Sequence, residues 1–257
     1  MIIFEYLETN KDKLRSDYLL AKPFPYIIID GFCDVQMADL LYDQVPDLQN
    51  KSRDYMFAKN KFEKSNYREI GPAFEELYTE LISPRMNSFL SFISNEDVFV
   101  DPENHGGGLH QGKKNSFLDM HLDFNYHPLK KGWFRNMNLL LYLNKDWKPE
   151  YKGHLKLLDR RTGEERELEV PFNRMIIQQT RAFTLHGYDQ TYFPEGKYRT
   201  SIATYAYTFH QNIIEKPRTT DWFAKKDQPV KRMISFVYGP AVKAKNFIFG
   251  SGTAKNK

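Results

Sequence analysis

Leu118-Asp119-Met120-His121-Leu122-Asp123-Phe124, residues 118–124, is the strand-like run on which the reading of this chain turns. In an extended chain, side chains two residues apart share a face. The His121 imidazole and the Asp123 carboxylate therefore point the same way. One nitrogen donor and one oxygen donor on one face are two members of a 2-His-1-carboxylate set, the protein part of many non-haem Fe(II) centres that leave positions open for other ligands. The third donor must come from elsewhere, and His186, in Phe183-Thr184-Leu185-His186-Gly187, is the candidate. Further on, Arg199-Thr200-Ser201 opens the run Ile202-Ala203-Thr204-Tyr205-Ala206-Tyr207. An arginine there can grip a carboxylate through its planar fork. His121, Asp123, His186 and Arg199 thus read as one site. The competing reading makes both histidines ordinary polar residues at strand turns and Arg199 a surface cation. A lone His-x-Asp in a chain with 7 histidines decides little. The order of strand, further strands, His and Arg-x-Ser favours the site.

The flanking text adds a resemblance. Gly107–Gln111, Phe117–Pro128, Asn138–Asn144, Gly153–Leu157, Phe172–Met175 and Pro194-Glu195-Gly196-x-x-Arg199-x-Ser201 resemble the Fe(II)/2-oxoglutarate-dependent oxygenases of the prolyl 4-hydroxylase-like superfamily, in particular its bacterial and phage members. The resemblance covers residues 22–210 and is strongest over 105–208. It implies a mainly β fold with flanking helices around a double-stranded β-helix of the jelly-roll, cupin-like kind. It implies Fe(II), 2-oxoglutarate and O2, with ascorbate supporting turnover. By position it makes His121, Asp123 and His186 the metal ligands, Arg199 the partner of the distal 2-oxoglutarate carboxylate, and Ser201 a helper. Gln111, Asn138 and Tyr142, on neighbouring strands, are candidates for further hydrogen bonds to 2-oxoglutarate. His110, Asn125, Tyr126, His127 and Arg135 are candidates for substrate contact at the barrel mouth. Peptidyl prolyl hydroxylases often carry lysine at the Arg199 position, so a prolyl substrate does not follow from the resemblance.

Composition agrees with a sheet-rich chain. Of 257 residues, 20 are Phe and 16 Tyr, and aromatic residues favour strands. This length fits one oxygenase domain over 1–257, divided into an N-terminal strand with supporting helices (1–97), a β-helix core (98–210) and a basic C-terminal segment (211–257). The single cysteine, Cys33, excludes an internal disulfide. A net charge of +4 is too small to indicate a nucleic-acid partner. The first residues lack the basic start and apolar core of a secretory signal, and no apolar run reaches the length of a membrane span. A cytoplasmic location is the expectation.

In chain order, residues 1–21 read as a helix or arm, and the run Pro23–Asp30 as a strand. Asp34 should cap a helix whose Val35, Ala38, Leu41, Tyr42 and Val45 share a face. Residues 50–70 read as an irregular polar connection or lid. Pro72 should open a helix with the stripe Phe74, Leu77, Tyr78, Leu81, Ile82, and Pro84 should restart it. Strands are expected over Asn138–Asn144, Gly153–Leu158, Leu168–Pro171, Arg174–Gln179 and Arg199–Phe209, with a hairpin turn at Gly163. The tail is expected to be a docked C-terminal helix that metal binding does not need from residue 218 onward.

The function this supports is hydroxylation of an unactivated C–H of a small metabolite, amino acid or peptidyl side chain, with release of succinate and CO2. Two alternatives stand beside it. One is a non-catalytic β-barrel that binds an anionic small molecule through Arg199. The other is a lipid- or nucleic-acid-associated protein acting through its basic, aromatic tail.

Overall fold

A computed structural model describes residues 1–49, 54, 56–224, 231 and 233. Two short helices, α1 (Phe4–Thr9) and α2 (Lys11–Leu20), lead into strand β1 (Tyr26–Asp30). Helix α3 (Val35–Gln44) follows, capped by the Asp34 carboxylate, which accepts from Met37 N at 2.9 Å. Such a cap contributes about 1 kcal/mol. The buried face of α3 is Met37, Ala38 and Leu41, whereas Val35 is 73 % exposed and Tyr42 lies at the edge. The expected face was therefore rotated. Val35 sits in the first turn, on the far side from the sheet, and apolar character alone did not bury it.

Residues 58–64 form a strand, β2 (Ala58–Lys64), instead of an irregular connection. Its charged residues hide it from a reading based on apolar runs. It is held by pairing with a longer strand, Lys61 opposite Gly112 and Glu63 opposite His110. Residues 50–53 and 55 of the proposed lid lie outside the described residues. Helices α4 (Pro72–Leu81) and α5 (Pro84–Ser94) each begin at the expected proline. Phe74, Leu77 and Leu81 of α4, and Phe89, Leu90 and Ile93 of α5, are buried. Each fully buried side chain of this size contributes about 1.5–3 kcal/mol.

The rest is sheet: β3 (Phe99–Val100), β4 (Gly108–Leu122), β5 (Trp133–Tyr142), β6 (Leu155–Asp159), β7 (Glu165–Leu168), β8 (Arg174–Gln179), β9 (Thr184–Tyr188), β10 (Arg199–Phe209) and β11 (Asp221–Phe223). The strand expected over Leu168–Pro171 ends where it was expected to begin. The order is β1-β8-β5-β10-β4-β9-β6-β7, all antiparallel, with β2 and β11 added along β4 and β3 along β10. Strand β4 makes the two halves one structure. Its first part, Gly108–Gly112, pairs with β10, and its end, from Leu118 to His121, pairs with β9 across an irregularity in register. The sheet therefore curls over on itself, which is a double-stranded β-helix.

Residue parity along the strands assigns the two faces. Leu109 of β4, Leu139 and Leu141 of β5, Met175 and Ile177 of β8 and Ile202 of β10 pack with the helices in one core. The alternate residues, His110, Asn138, Leu140, Tyr142, Arg199, Ser201 and Ala203, face the space inside the roll.

Candidate active site

That inner space is a cavity of about 230 Å³. At its floor, β4 and β9 meet with His121 directly opposite His186. Ligand atoms of His121, Asp123 and His186 all lie within 4.8 Å of one another. His121 Nε2 is 3.7 Å from Asp123 Oδ1, and His186 Nε2 is 3.6 Å from Asp123 Oδ2. Gly187 allows the approach: a Cβ there would stand 2.6 Å from the Leu118 carbonyl oxygen.

This donor set fits a divalent transition metal. His121 Nδ1 lies 3.0 Å from the Asp119 carbonyl, so Nδ1 carries the proton and Nε2 offers its lone pair. Burial holds both imidazoles neutral. It lowers His121 below its ordinary value, and burial together with the neighbouring His121 pushes His186 down to about 3. Burial alone would raise Asp123, but the Arg135 guanidinium, the two imidazoles and the Asn138 amide outweigh it and keep the carboxylate ionised.

These shifts fix a pH dependence. The unfolded chain binds protons at His186 below about 6.5, while the folded chain resists them down to about 3. The unfolded state therefore takes up more protons as pH falls through this window, and stability must fall with it. Metal-free protein is expected to lose thermal stability between pH 6.5 and 4 at up to about 1.4 kcal/mol per pH unit for His186. Melting curves of the wild type and His186→Gln test this, and equal slopes would remove His186 as the cause.

The far end of the cavity holds Arg199, Tyr142, Tyr188, Ser201, Leu140 and Leu155. The Arg199 Nε donates to the Gly153 carbonyl at 2.6 Å, and Nη2 reaches the Tyr142 hydroxyl at 3.4 Å. The guanidinium stacks 4.0 Å from the centroid of Tyr188. Gly153 has φ +76°, and a Cβ there would press on Arg199 Cδ at 3.0 Å. No carboxylate among the described residues pairs with Arg199. A buried arginine fork with apolar walls and a tyrosine hydroxyl fits the distal carboxylate of a dicarboxylic acid.

Several expected residues lie elsewhere. Gln111 has the wrong parity on β4. Its amide donates to the Pro46 carbonyl at 2.7 Å and accepts from Leu48 N at 2.9 Å, on the helix side of the sheet. Asn125 donates to the Lys216 carbonyl at 3.1 Å and accepts from Arg218 N at 2.9 Å. The Tyr126 hydroxyl accepts from Ile214 N at 2.8 Å. Both tie down the chain after β10. His127 is buried against Trp133 and Tyr207, accepting from Lys130 N at 3.0 Å, with its other nitrogen 3.4 Å from Asp101. None of these four lines the cavity. His110, Arg135, Asn138, Tyr142 and Ser201 do. Asn138 is positioned to serve Asp123, donating to its Oδ2 at 2.8 Å.

Other lining residues had little signal in the sequence. Lys61 and Glu63 enter from β2 as an ion pair at 2.8 Å. Trp222 enters from β11, and Thr220 from just before it. Trp222 pairs with His121 across the ladder, its ring 4.8 Å from the imidazole, and stacks on Phe57 at 5.2 Å. Arg218 Nε donates to the Asp123 carbonyl at 3.0 Å. Thr220 and Trp222 thus line the cavity and Arg218 braces the Asp123 backbone, in a stretch that metal binding was expected not to need. The edge of β4 over Met120–Leu122 was available, and Asp221–Phe223 of the chain after β10 took it. Most of the basic tail beyond 224 lies outside the described residues. Trp222→Ala is expected to weaken Co(II) binding about tenfold, as loss of outer-shell support does. Unchanged affinity would reduce Trp222 to a spectator.

Residues 107–207 match the profile of the 2OG-Fe(II) oxygenase superfamily. A comparison with curated proteins gives no match. Among solved structures, a prolyl hydroxylase from Trichoplax adhaerens, in complex with a hypoxia inducible factor oxygen degradation domain peptide fragment, superposes with a TM-score of 0.52 at 14 % identity, covering 80 % of this chain and 91 % of that one. A Pseudomonas putida prolyl-4-hydroxylase gives 0.51 at 13 %, over 78 % and 100 % of the two chains. HygX from Streptomyces hygroscopicus, with nickel and 2-oxoglutarate bound, gives 0.50 at 12 %, over 71 % and 82 %. At these identities the likeness speaks to fold. Among the described residues no helix is long and apolar enough to cross a membrane.

Proposed function

We propose that this chain, which matches the 2OG-Fe(II) oxygenase superfamily over residues 107–207, is an Fe(II)- and 2-oxoglutarate-dependent dioxygenase that hydroxylates an unactivated C–H of a small metabolite, amino acid or peptidyl side chain. His121, Asp123 and His186 would hold the iron, and Arg199, with Tyr142 and Ser201, would take the distal carboxylate of 2-oxoglutarate. The observation that carries this reading is the meeting, in one cavity, of three convergent donor atoms and a buried arginine without a carboxylate of its own among the described residues.

Iron with 2-oxoglutarate and O2 supplies the oxidation, which consumes 2-oxoglutarate to succinate and CO2 and delivers one oxygen atom to the substrate. The remaining work belongs to the chain's own residues. Asp119, through its carbonyl, fixes the His121 tautomer. Arg135 and Asn138 hold Asp123 ionised and oriented. Arg199 sets the direction in which the co-substrate enters, because its fork is anchored by Gly153 and Tyr142 and cannot swing. The apolar walls Leu140, Leu155 and Trp222 limit water near the reacting groups.

The test is succinate and CO2 release from 2-oxoglutarate with and without Fe(II), O2 and ascorbate, followed by a search for products with one added oxygen atom. Absence of iron-dependent decarboxylation would sink the reading. The prolyl hydroxylases among the similar folds keep peptides among the substrates to be tried.

A further inference from the structure

The cavity wall carries one more buried positive charge than the iron, the co-substrate and the wall's own carboxylates would balance. Divalent iron and dianionic 2-oxoglutarate cancel. The Asp123 carboxylate and the Arg199 guanidinium cancel. Lys61 and Glu63 pair with each other at 2.8 Å. Arg135 is left. It lines the cavity and is 1 % exposed. Its Nη2 lies 3.0 Å from Asp123 Oδ2, the carboxylate that pairs with it among the described residues. Its Nε donates to Asn138 Oδ1 at 2.8 Å, and its guanidinium stacks 3.3 Å from the Tyr205 centroid and 4.7 Å from that of Phe124. Arg135 is therefore fixed in place beside the proposed metal ligand. Once Asp123 shares its charge with iron, this buried guanidinium has no counter-ion of its own, and a buried charge without compensation is strongly disfavoured.

We propose that the substrate carries a carboxylate and that Arg135 is the residue that receives it. This rests on the function proposed above and narrows its substrate class. Because Arg135 touches Asp123, an anion bound at Arg135 is held within a few bonds of the metal position. The oxidised carbon is then expected close to the carboxylate. The reaction balances as a simple hydroxylation. One atom of O2 enters the C–H bond and the other leaves in succinate. Two electrons come from 2-oxoglutarate as it loses CO2, and two from the C–H bond. Two sources offer this chemistry: a free small carboxylic or amino acid, and an aspartate or glutamate side chain within a peptide. Electrostatic matching of this kind raises selectivity more than raw affinity.

The experiment uses the full chain loaded with Ni(II) and 2-oxoglutarate, so that binding is read without turnover. Isothermal titration compares free amino acids and other short carboxylic acids with their amides, and peptides containing internal Asp or Glu with those containing Asn or Gln. The same pairs are then scored with Fe(II) by stimulated succinate release. At least one acid is expected to bind tenfold or more tighter than its amide, and which arm it falls in identifies the source. In Arg135→Met that acid-to-amide ratio should collapse towards one, and Arg135→Lys should restore part of it. The ratio separates charge recognition from general damage to Asp123. Equal binding of acid and amide, response to neutral or cationic compounds alone, or response to none of the pairs overturns the proposal. Iron-dependent decarboxylation without added substrate remains in each of these cases if the catalytic reading is right, and its loss would instead count against that reading.

Discussion

Arg199→Ala is expected to cut 2-oxoglutarate-dependent turnover by about two to four orders of magnitude, since removing one partner of a buried charge pair costs about 3–5 kcal/mol. The wild-type arginine is anchored before any ligand arrives, by the Gly153 carbonyl at 2.6 Å and the faces of Tyr188 and Tyr142. A carboxylate meeting it finds a fork already in position. Without it the distal carboxylate would enter an apolar end of the cavity with only the Tyr142 and Ser201 hydroxyls for partners. Arg199→Lys keeps the charge but loses the planar fork, so it should raise the KM for 2-oxoglutarate more than it lowers kcat. Steady-state succinate release across 2-oxoglutarate concentrations separates the two effects. An unchanged KM in Arg199→Ala would remove Arg199 from the site.

The second large effect concerns Asp123. Asp123→Gly deletes the anionic donor of the triad and strands Arg135, which then has no carboxylate partner among the described residues. Metal affinity should fall by at least about 100-fold, more than the loss of an outer-shell partner costs, and hydroxylation should disappear with it. Direct titration with Co(II) reads the affinity. The same residue constrains the reaction type. A carboxylate that fills its coordination position leaves no place for a halide ion beside the co-substrate and O2. The unmodified protein in high chloride or bromide is therefore expected to give oxygenated products alone. A halogenated product, identified by its isotope pattern, would show that Asp123 does not hold the metal. The variant with glycine is the one in which weak halide incorporation can be looked for.

How much of this was legible in the sequence differs from strand to strand. Spacing of two residues was enough to place His121, in β4, and Asp123, just past its end, on one side, because parity is a local property of an extended chain. Arg199 and Ser201 follow the same rule on β10. The rule fails where the ladder shifts. Between Leu118 and His121 the register is irregular, so His110 and His121, an odd number of residues apart, both face the cavity. Gln111, next to His110, faces the helices. No count along the sequence reveals such a shift, since its cost and its reward lie in the pairing of β4 with two different partners. Asn125, Tyr126 and His127 follow the metal strand in sequence, but Asn125 and Tyr126 spend polar atoms on backbone groups of the chain after β10, and His127 on the backbone of its own turn.

The chain by itself determined the strands β1, β5, β6, β8 and β10 in outline, the helix starts at Asp34, Pro72 and Pro84, and which four side chains read as one site. These depend on short-range sterics, capping and side-chain type, all of which act within a few residues. Tertiary structure alone decided that charged β2 is a strand, that Lys61, Glu63 and Trp222 wall the cavity, and that Arg135 and Asn138 serve Asp123. Those facts rest on backbone edges of β4 left open by its neighbours and on the low polarity of a closed roll. There a charge is stable only beside its partner, and partners far apart in sequence are brought together by the curl of the sheet.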